Sequence, residues 1–73
     1  MPHIVVKMYK GRTQEQKQKL SVEIKDALMR SIGCGEEHIS LDIVEYAPEN
    51  WTEEVYEPEI KANWDRLYIK PKY

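Results

Sequence analysis

Phenylalanine is absent from this chain, cysteine and histidine are scarce, and neither sign of charge is in large excess. The single cysteine, Cys34, excludes a disulfide within the chain, and together with two separated histidines it forms no recognisable zinc-ligand set. A net charge of −2 without a basic block argues against nucleic-acid binding. No apolar run approaches the roughly 18 residues that suggest a membrane span, and no secretory signal is visible. These absences predict a cytoplasmic protein without a metal or other cofactor.

The chain of 73 residues is short for an independently stable fold. A domain of this size buries only about 60% of the surface of its unfolded chain, so small domains usually add disulfides, a metal or oligomerisation. With the first two lacking, we predict a single domain over residues 1–73 that forms a homo-oligomer. Five tyrosines and two tryptophans supply aromatic area in place of phenylalanine.

The first two thirds of the chain have the pattern of a β–α–β unit. Residues His3 to Tyr9 contain a short β-branched run, and Ile39 to Tyr46 alternate between apolar and polar positions, so both are predicted strands. Thr13 to Ile32 is predicted as a helix, opened by a capping box with Gln16 and ended by Gly33. The strands should be parallel, with a right-handed crossover. The helix carries one apolar stripe, made of Leu20, Ile24, Ala27, Leu28 and Ile32.

A second, shorter helix is predicted between residues 52 and 67. Pro58 is tolerated only in a first helical turn, which places the start of this helix near Glu57, after a separate turn at Thr52 to Tyr56. Two parallel strands do not stand alone as a sheet, so we predict a homodimer that joins two units into a four-stranded sheet. The predicted class is α/β (α+β). The apolar stripe of this helix contains Tyr56, Ile60, Trp64, Leu67 and Tyr68.

The first residues, Met1 and Pro2, carry the most unusual signal. An initiator methionine is normally trimmed before a small residue, so the mature chain is expected to span residues 2–73. Pro2 would then carry a free secondary amine, which can act as a base or nucleophile. The alternative is that Pro2 merely begins a strand, where its missing N–H costs nothing.

Four features together resemble one known family. They are Pro2 behind the initiator methionine, Gly11-Arg12 after the first strand, the helix that opens at Thr13, and Trp51 after the second strand. The chain resembles the 4-oxalocrotonate tautomerase family of the tautomerase superfamily over the whole β–α–β unit. Its last third is similar to the dimeric bacterial branch that acts on phenylpyruvate-like enols. This similarity favours a dimer, and a hexamer is the alternative assembly.

The resemblance implies a tautomerase fold and a cofactor-independent keto–enol tautomerase of 2-oxo acids. Pro2 would be the general base, and Arg12 would hold the carboxylate or stabilise charge on the carbonyl oxygen. Trp51 would wall an apolar substrate pocket together with Val6 and Met8. Ser40 stands where hexameric members have a second arginine. That difference favours a 2-oxo acid with one carboxylate and an apolar or aromatic side chain over a dicarboxylate.

Two other functions stay open at this point. A protonated Pro2 would act as an acid, as decarboxylation, hydration or hydrolytic dehalogenation requires. A small dimeric interaction module without chemistry would retain its function when Pro2 is replaced by alanine.

Overall fold

The computed structural model describes all 73 residues and has the predicted order of elements. Strand β1 spans His3–Tyr9, helix α1 spans Gln14–Ile32, strand β2 spans Ser40–Tyr46, and a second helix, α2, spans Thr52–Ile60. Three 3₁₀ segments lie at Glu36–His38, Pro48–Asn50 and Lys61–Arg66. The β–α–β unit followed by a second helix is therefore confirmed.

The two strands form a parallel sheet whose register runs from His3 opposite Ser40 to Tyr9 opposite Tyr46. Backbone hydrogen bonds continue at both ends, from Ser40 N to Pro2 O at 3.2 Å and from Lys10 N to Tyr46 O at 2.9 Å. With two strands, each one leaves an unpaired edge.

Helix α1 begins and ends as its capping residues predict. The Thr13 hydroxyl accepts from Gln16 N at 3.1 Å, and the Gln16 side chain accepts from Thr13 N at 2.9 Å, which closes the capping box. Gly33 follows with φ of 70°, a left-handed conformation that costs glycine little. Lys17 Nζ donates to Glu45 Oε1 at 2.9 Å and ties α1 to β2.

The apolar stripe of α1 is only partly covered. Leu20, Ile24 and Leu28 are half-buried, whereas Ala27 and Ile32 remain exposed, Ile32 by 62%. The three leucine and isoleucine side chains at 20, 24 and 28 therefore pack within the chain as predicted, whereas Ala27 and Ile32 are left largely uncovered.

The second helix begins earlier than predicted and has a different geometry. Helix α2 is π-helical from Thr52, and Pro58 lies inside it rather than in its first turn. The expected start near Glu57 is thus wrong. A wider π-helical turn relieves the clash between a proline ring and the preceding carbonyl groups that ends an α-helix. Tyr68, predicted on the apolar stripe, is fully exposed because the chain becomes extended at Leu67.

The core of the isolated chain is very small. Val55 is the one fully buried residue, at 4% exposure. Several apolar side chains of the sheet and of α1 stay exposed, among them Val5, Val22 and Met29. None of the helices combines the length and apolar character needed to cross a bilayer.

Candidate active site

A cavity of about 610 Å³ opens at the carboxyl end of β1, and no residue of β2 lines it. Its walls are formed by side chains from β1, the turn after β1, the start of α2 and the C-terminal segment. Five of the nine lining side chains are apolar or aromatic. The cavity is lined by Lys7, Met8, Tyr9, Arg12, Trp51, Thr52, Tyr56, Glu57 and Tyr73. A pocket of this size suits a small organic molecule.

Aromatic rings dominate the wall around Trp51. The Trp51 ring meets Tyr9 edge-on at 5.3 Å between centroids and Tyr46 edge-on at 6.1 Å. Its indole N–H donates to the phenolic oxygen of Tyr73 at 3.3 Å. Tyr73 in turn lies 5.9 Å from the ring of Tyr56. Edge-to-face pairs of this kind stabilise one another and hold the wall in a defined shape.

Arg12 is the one cation of the cavity without a carboxylate partner. Its Nη1 donates a long hydrogen bond of 3.4 Å to the carbonyl oxygen of Tyr9, and it forms no ion pair. Lys7 is paired with Glu59, and Glu57 lies 3.9 Å from Lys61. A guanidinium in this state is available to bind an anionic ligand through two parallel hydrogen bonds.

The Lys7–Glu59 ion pair joins β1 to α2 beside the cavity. The hydrogen bond to Glu59 raises the pKa of Lys7 above its ordinary value of 10.5. Lys7 therefore stays protonated at neutral pH and is unsuited to act as a base.

Pro2 and Ser40 lie together at the opposite end of the sheet. Ser40 N donates to Pro2 O, and Ser40 Oγ lies 2.7 Å from Nδ1 of His3. The seven residues of β1 extend over about 20 Å, so in one chain Pro2 is far from Arg12. The structure thus brings together Arg12 with Trp51, and Pro2 with Ser40, but does not join these two pairs within one chain.

The cavity contains residues that the sequence interpretation did not assign to it. Met8 lines it as predicted, but Val6 does not. Tyr56 belongs to the predicted apolar stripe of the second helix, and Glu57 to the predicted start of that helix. Tyr73 lies in a short segment without periodicity, and no sequence signal placed it near Trp51.

Comparison with known proteins gives the same family over most of the chain. Residues 2–56 match the family model described as tautomerase enzyme. A probable tautomerase of Xylella fastidiosa is 33% identical over 73 residues, which cover all of this chain and 89% of that protein.

Two solved structures resemble the chain in fold and sequence. One is YwhB, described as a homologue of 4-oxalocrotonate tautomerase, with a TM-score of 0.62 and 39% identity over 63% of this chain and 75% of the other. The other was described in an analysis of trans-3-chloroacrylic acid dehalogenase activity, with a TM-score of 0.64 and 35% identity over 67% of this chain and 92% of the other. The chain therefore belongs to the tautomerase family, in the group of 4-oxalocrotonate tautomerase relatives, and is an isomerase.

Proposed function

We propose that this isomerase interconverts the enol and keto forms of a 2-oxo acid without a cofactor. The observation that carries the proposal is the unpaired guanidinium of Arg12 in a cavity walled by aromatic rings. Arg12 binds the substrate carboxylate, and the side chain of the substrate packs among Tyr9, Trp51 and Tyr56. Enclosure by these rings lowers the local dielectric and strengthens the ion pair with Arg12.

The charge balance of the cavity supports a substrate with one carboxylate. Lys7 is neutralised by Glu59 and Glu57 faces Lys61 at 3.9 Å, so Arg12 is the one unpaired charge of the cavity and matches a single carboxylate. Ser40, at the position where the resemblance implies a second arginine, contacts His3 and carries no charge that could pair with a second carboxylate. An acid with an aromatic or apolar side chain, such as phenylpyruvate, fits these constraints.

Pro2 is the proposed base once Met1 has been removed. A free α-amine has a pKa of about 7.7–8.0, much closer to neutrality than a lysine, and while Met1 is attached the same nitrogen is an amide without basicity. The amine takes the proton of the enol hydroxyl, and the oxygen lone pair forms the 2-oxo C=O bond. The electrons of the C2=C3 double bond then take the proton from the proline nitrogen at C3, which restores the free amine.

A second copy of the chain supplies this amine to the cavity. Strand β1 has one edge that pairs with no other strand. Residues Lys7 to Tyr9 of this strand line the cavity, whereas no residue of β2 lines it. Antiparallel pairing of two β1 edges about a two-fold axis places Pro2 of one chain beside Tyr9 of the other. The same pairing forms the four-stranded sheet of a homodimer, and the small core of the single chain supports such an assembly. The cytoplasmic location stays a prediction.

The first test is the ketonisation of enol-phenylpyruvate, followed by its loss of ultraviolet absorbance. The protein is used after mass spectrometry has confirmed the loss of Met1, and Pro2→Ala is assayed beside it. Fast decay that collapses in Pro2→Ala supports the proposal. Decay no faster than in buffer, or decay undiminished in Pro2→Ala, would contradict it and favour the interaction module.

A second candidate function has one observation in its favour. Glu57 brings a carboxylate into the same cavity as Arg12, and a carboxylate there can activate water for addition to an unsaturated acid. Pro2 would then act as a protonated acid. The dependence of kcat/KM on pH separates the two functions, because activity rises with pH through the pKa of a base and falls through that of an acid.

A further inference from the structure

Tyr73 lines the cavity although it belongs to no helix or strand. Its phenolic oxygen accepts the indole N–H of Trp51 at 3.3 Å, and its ring lies 5.9 Å from that of Tyr56, tilted by 44°. Both partners line the same cavity. A side chain from the C-terminal segment is therefore held in the cavity wall by a polar contact and an aromatic contact.

The hydrogen bond from Trp51 leaves the phenolic hydrogen of Tyr73 unused. An indole N–H can only donate, so the phenolic oxygen is the acceptor and its own hydrogen must point elsewhere. No protein atom accepts that hydrogen in the structure. The other hydroxyls of the cavity, on Tyr9, Thr52 and Tyr56, form no hydrogen bond at all, so Tyr73 carries the one hydroxyl held in place. The hydrogen bond that the Tyr73 oxygen accepts from the Trp51 indole also polarises the O–H group of Tyr73 and makes that group a better donor.

We infer that Tyr73 contacts the substrate and donates a hydrogen bond to the oxygen at C2 of the 2-oxo acid. The inference rests on the proposed function, in which the carboxylate occupies Arg12. The oxygen at C2 then needs a donor of its own, because charge builds on it when the enol loses its proton. Tyr73 stabilises that charge and makes the site prefer 2-oxo acids to carboxylic acids that lack the oxygen.

The position of Tyr73 allows a clean substitution. In the single chain the residue is 69% exposed, so Tyr73→Phe keeps the ring against Tyr56 and opens no core cavity. Tyr68 provides a matched control because it belongs to the same C-terminal segment, is fully exposed and does not line the cavity. Tyr68→Phe removes the same atom at a position without a role in the site.

Binding is measured by calorimetry with two acids that cannot react. Benzoylformate has the 2-oxo group but no hydrogen at C3 and so cannot enolise, and phenylacetate has the same ring without the oxygen. We expect the native protein and Tyr68→Phe to prefer benzoylformate by roughly 10-fold, as one hydrogen bond allows. In Tyr73→Phe the preference should fall to about 1-fold. An unchanged preference in Tyr73→Phe would overturn the inference.

Kinetics give the second readout. With enol-phenylpyruvate, Tyr73→Phe should lower kcat roughly 10- to 100-fold and change KM less than about 3-fold, because the charge on oxygen develops in the transition state. A native protein that fails to ketonise the enol but shows the Tyr73-dependent preference would refute the proposed function and keep this inference. If Tyr73→Phe turns over the enol as fast as the native protein and keeps the preference for benzoylformate over phenylacetate, this inference is refuted and the proposed function is not.

Discussion

The backbone N–H of Ser40 donates a hydrogen bond of 3.2 Å to the carbonyl oxygen of Pro2. This bond adds Pro2 to the ladder of the parallel sheet, so the position of its nitrogen is set by the strands and not by a loose chain end. Arg12 follows the other end of the same strand, beyond Tyr9. The strand between them keeps the proposed base and the proposed anion-binding group of one chain about 20 Å apart, so under the proposed function they serve two different sites.

Mixing two impaired variants tests whether the site is shared between chains. Pro2→Ala and Arg12→Ala chains are unfolded, mixed in equal amounts and refolded together. Half of the dimers then contain one chain of each kind, and one of their two sites combines a native Pro2 with a native Arg12. Activity should recover to about a quarter of the native value. Each variant refolded alone is the control, and no recovery despite mixed dimers in native mass spectrometry would show that the site lies within one chain.

Arg12→Ala should lower kcat/KM for enol-phenylpyruvate by roughly 10- to 100-fold, because a hydrogen-bonded ion pair with the carboxylate is lost. Arg12→Lys should recover only part of this loss, since an ammonium group cannot bind the carboxylate through a planar pair of donors. Arg30→Ala, at an exposed position in the last turn of α1, serves as the control. Equal activity of Arg12→Ala and Arg30→Ala in steady-state assays would exclude Arg12 from the site.

The Lys7–Glu59 pair should stabilise the fold up to alkaline pH. The hydrogen bond to Glu59 raises the pKa of Lys7 in the folded state, so its contribution is complete below the ordinary value of 10.5 and is lost as pH rises through the higher folded-state value. Glu59→Gln should therefore lower Tm between pH 6 and 9, and the difference from the native protein should shrink above about pH 10.5. Circular dichroism across this range provides the measurement, and a difference in Tm that does not vary with pH would contradict the assignment.

Val55→Ala should lower the free energy of unfolding by about 2 kcal/mol, because it removes two methyl groups from the one fully buried position. Val22→Ala, at an exposed position on α1, should change it by less than about 0.5 kcal/mol. Urea unfolding of both variants at the same protein concentration compares them. A smaller loss for Val55 than for Val22 would mean that assembly of chains, and not the core of one chain, governs stability.

The sequence by itself determined the elements that depend on local signals. The capping box of Thr13 and Gln16, the left-handed Gly33 and the two apolar strand runs act over a few residues, so the boundaries of β1, α1 and β2 could be predicted. Pro2, Arg12 and Trp51 were likewise found from their places along the chain. Their roles stay predictions, but Arg12 and Trp51 do line one cavity.

Only the tertiary structure decided which residues meet. Lys7 and Glu59 are 52 residues apart, and Trp51 and Tyr73 are 22 apart, so no periodicity links them. The π-helical geometry of α2, and with it the start at Thr52, was not predicted. The expectation for Pro58 assumed an α-helix, in which a proline ring clashes with the preceding turn, whereas a π-helical turn is wider. The length and rigidity of β1 separate Pro2 from Arg12, a consequence of strand geometry that the linear order of residues conceals.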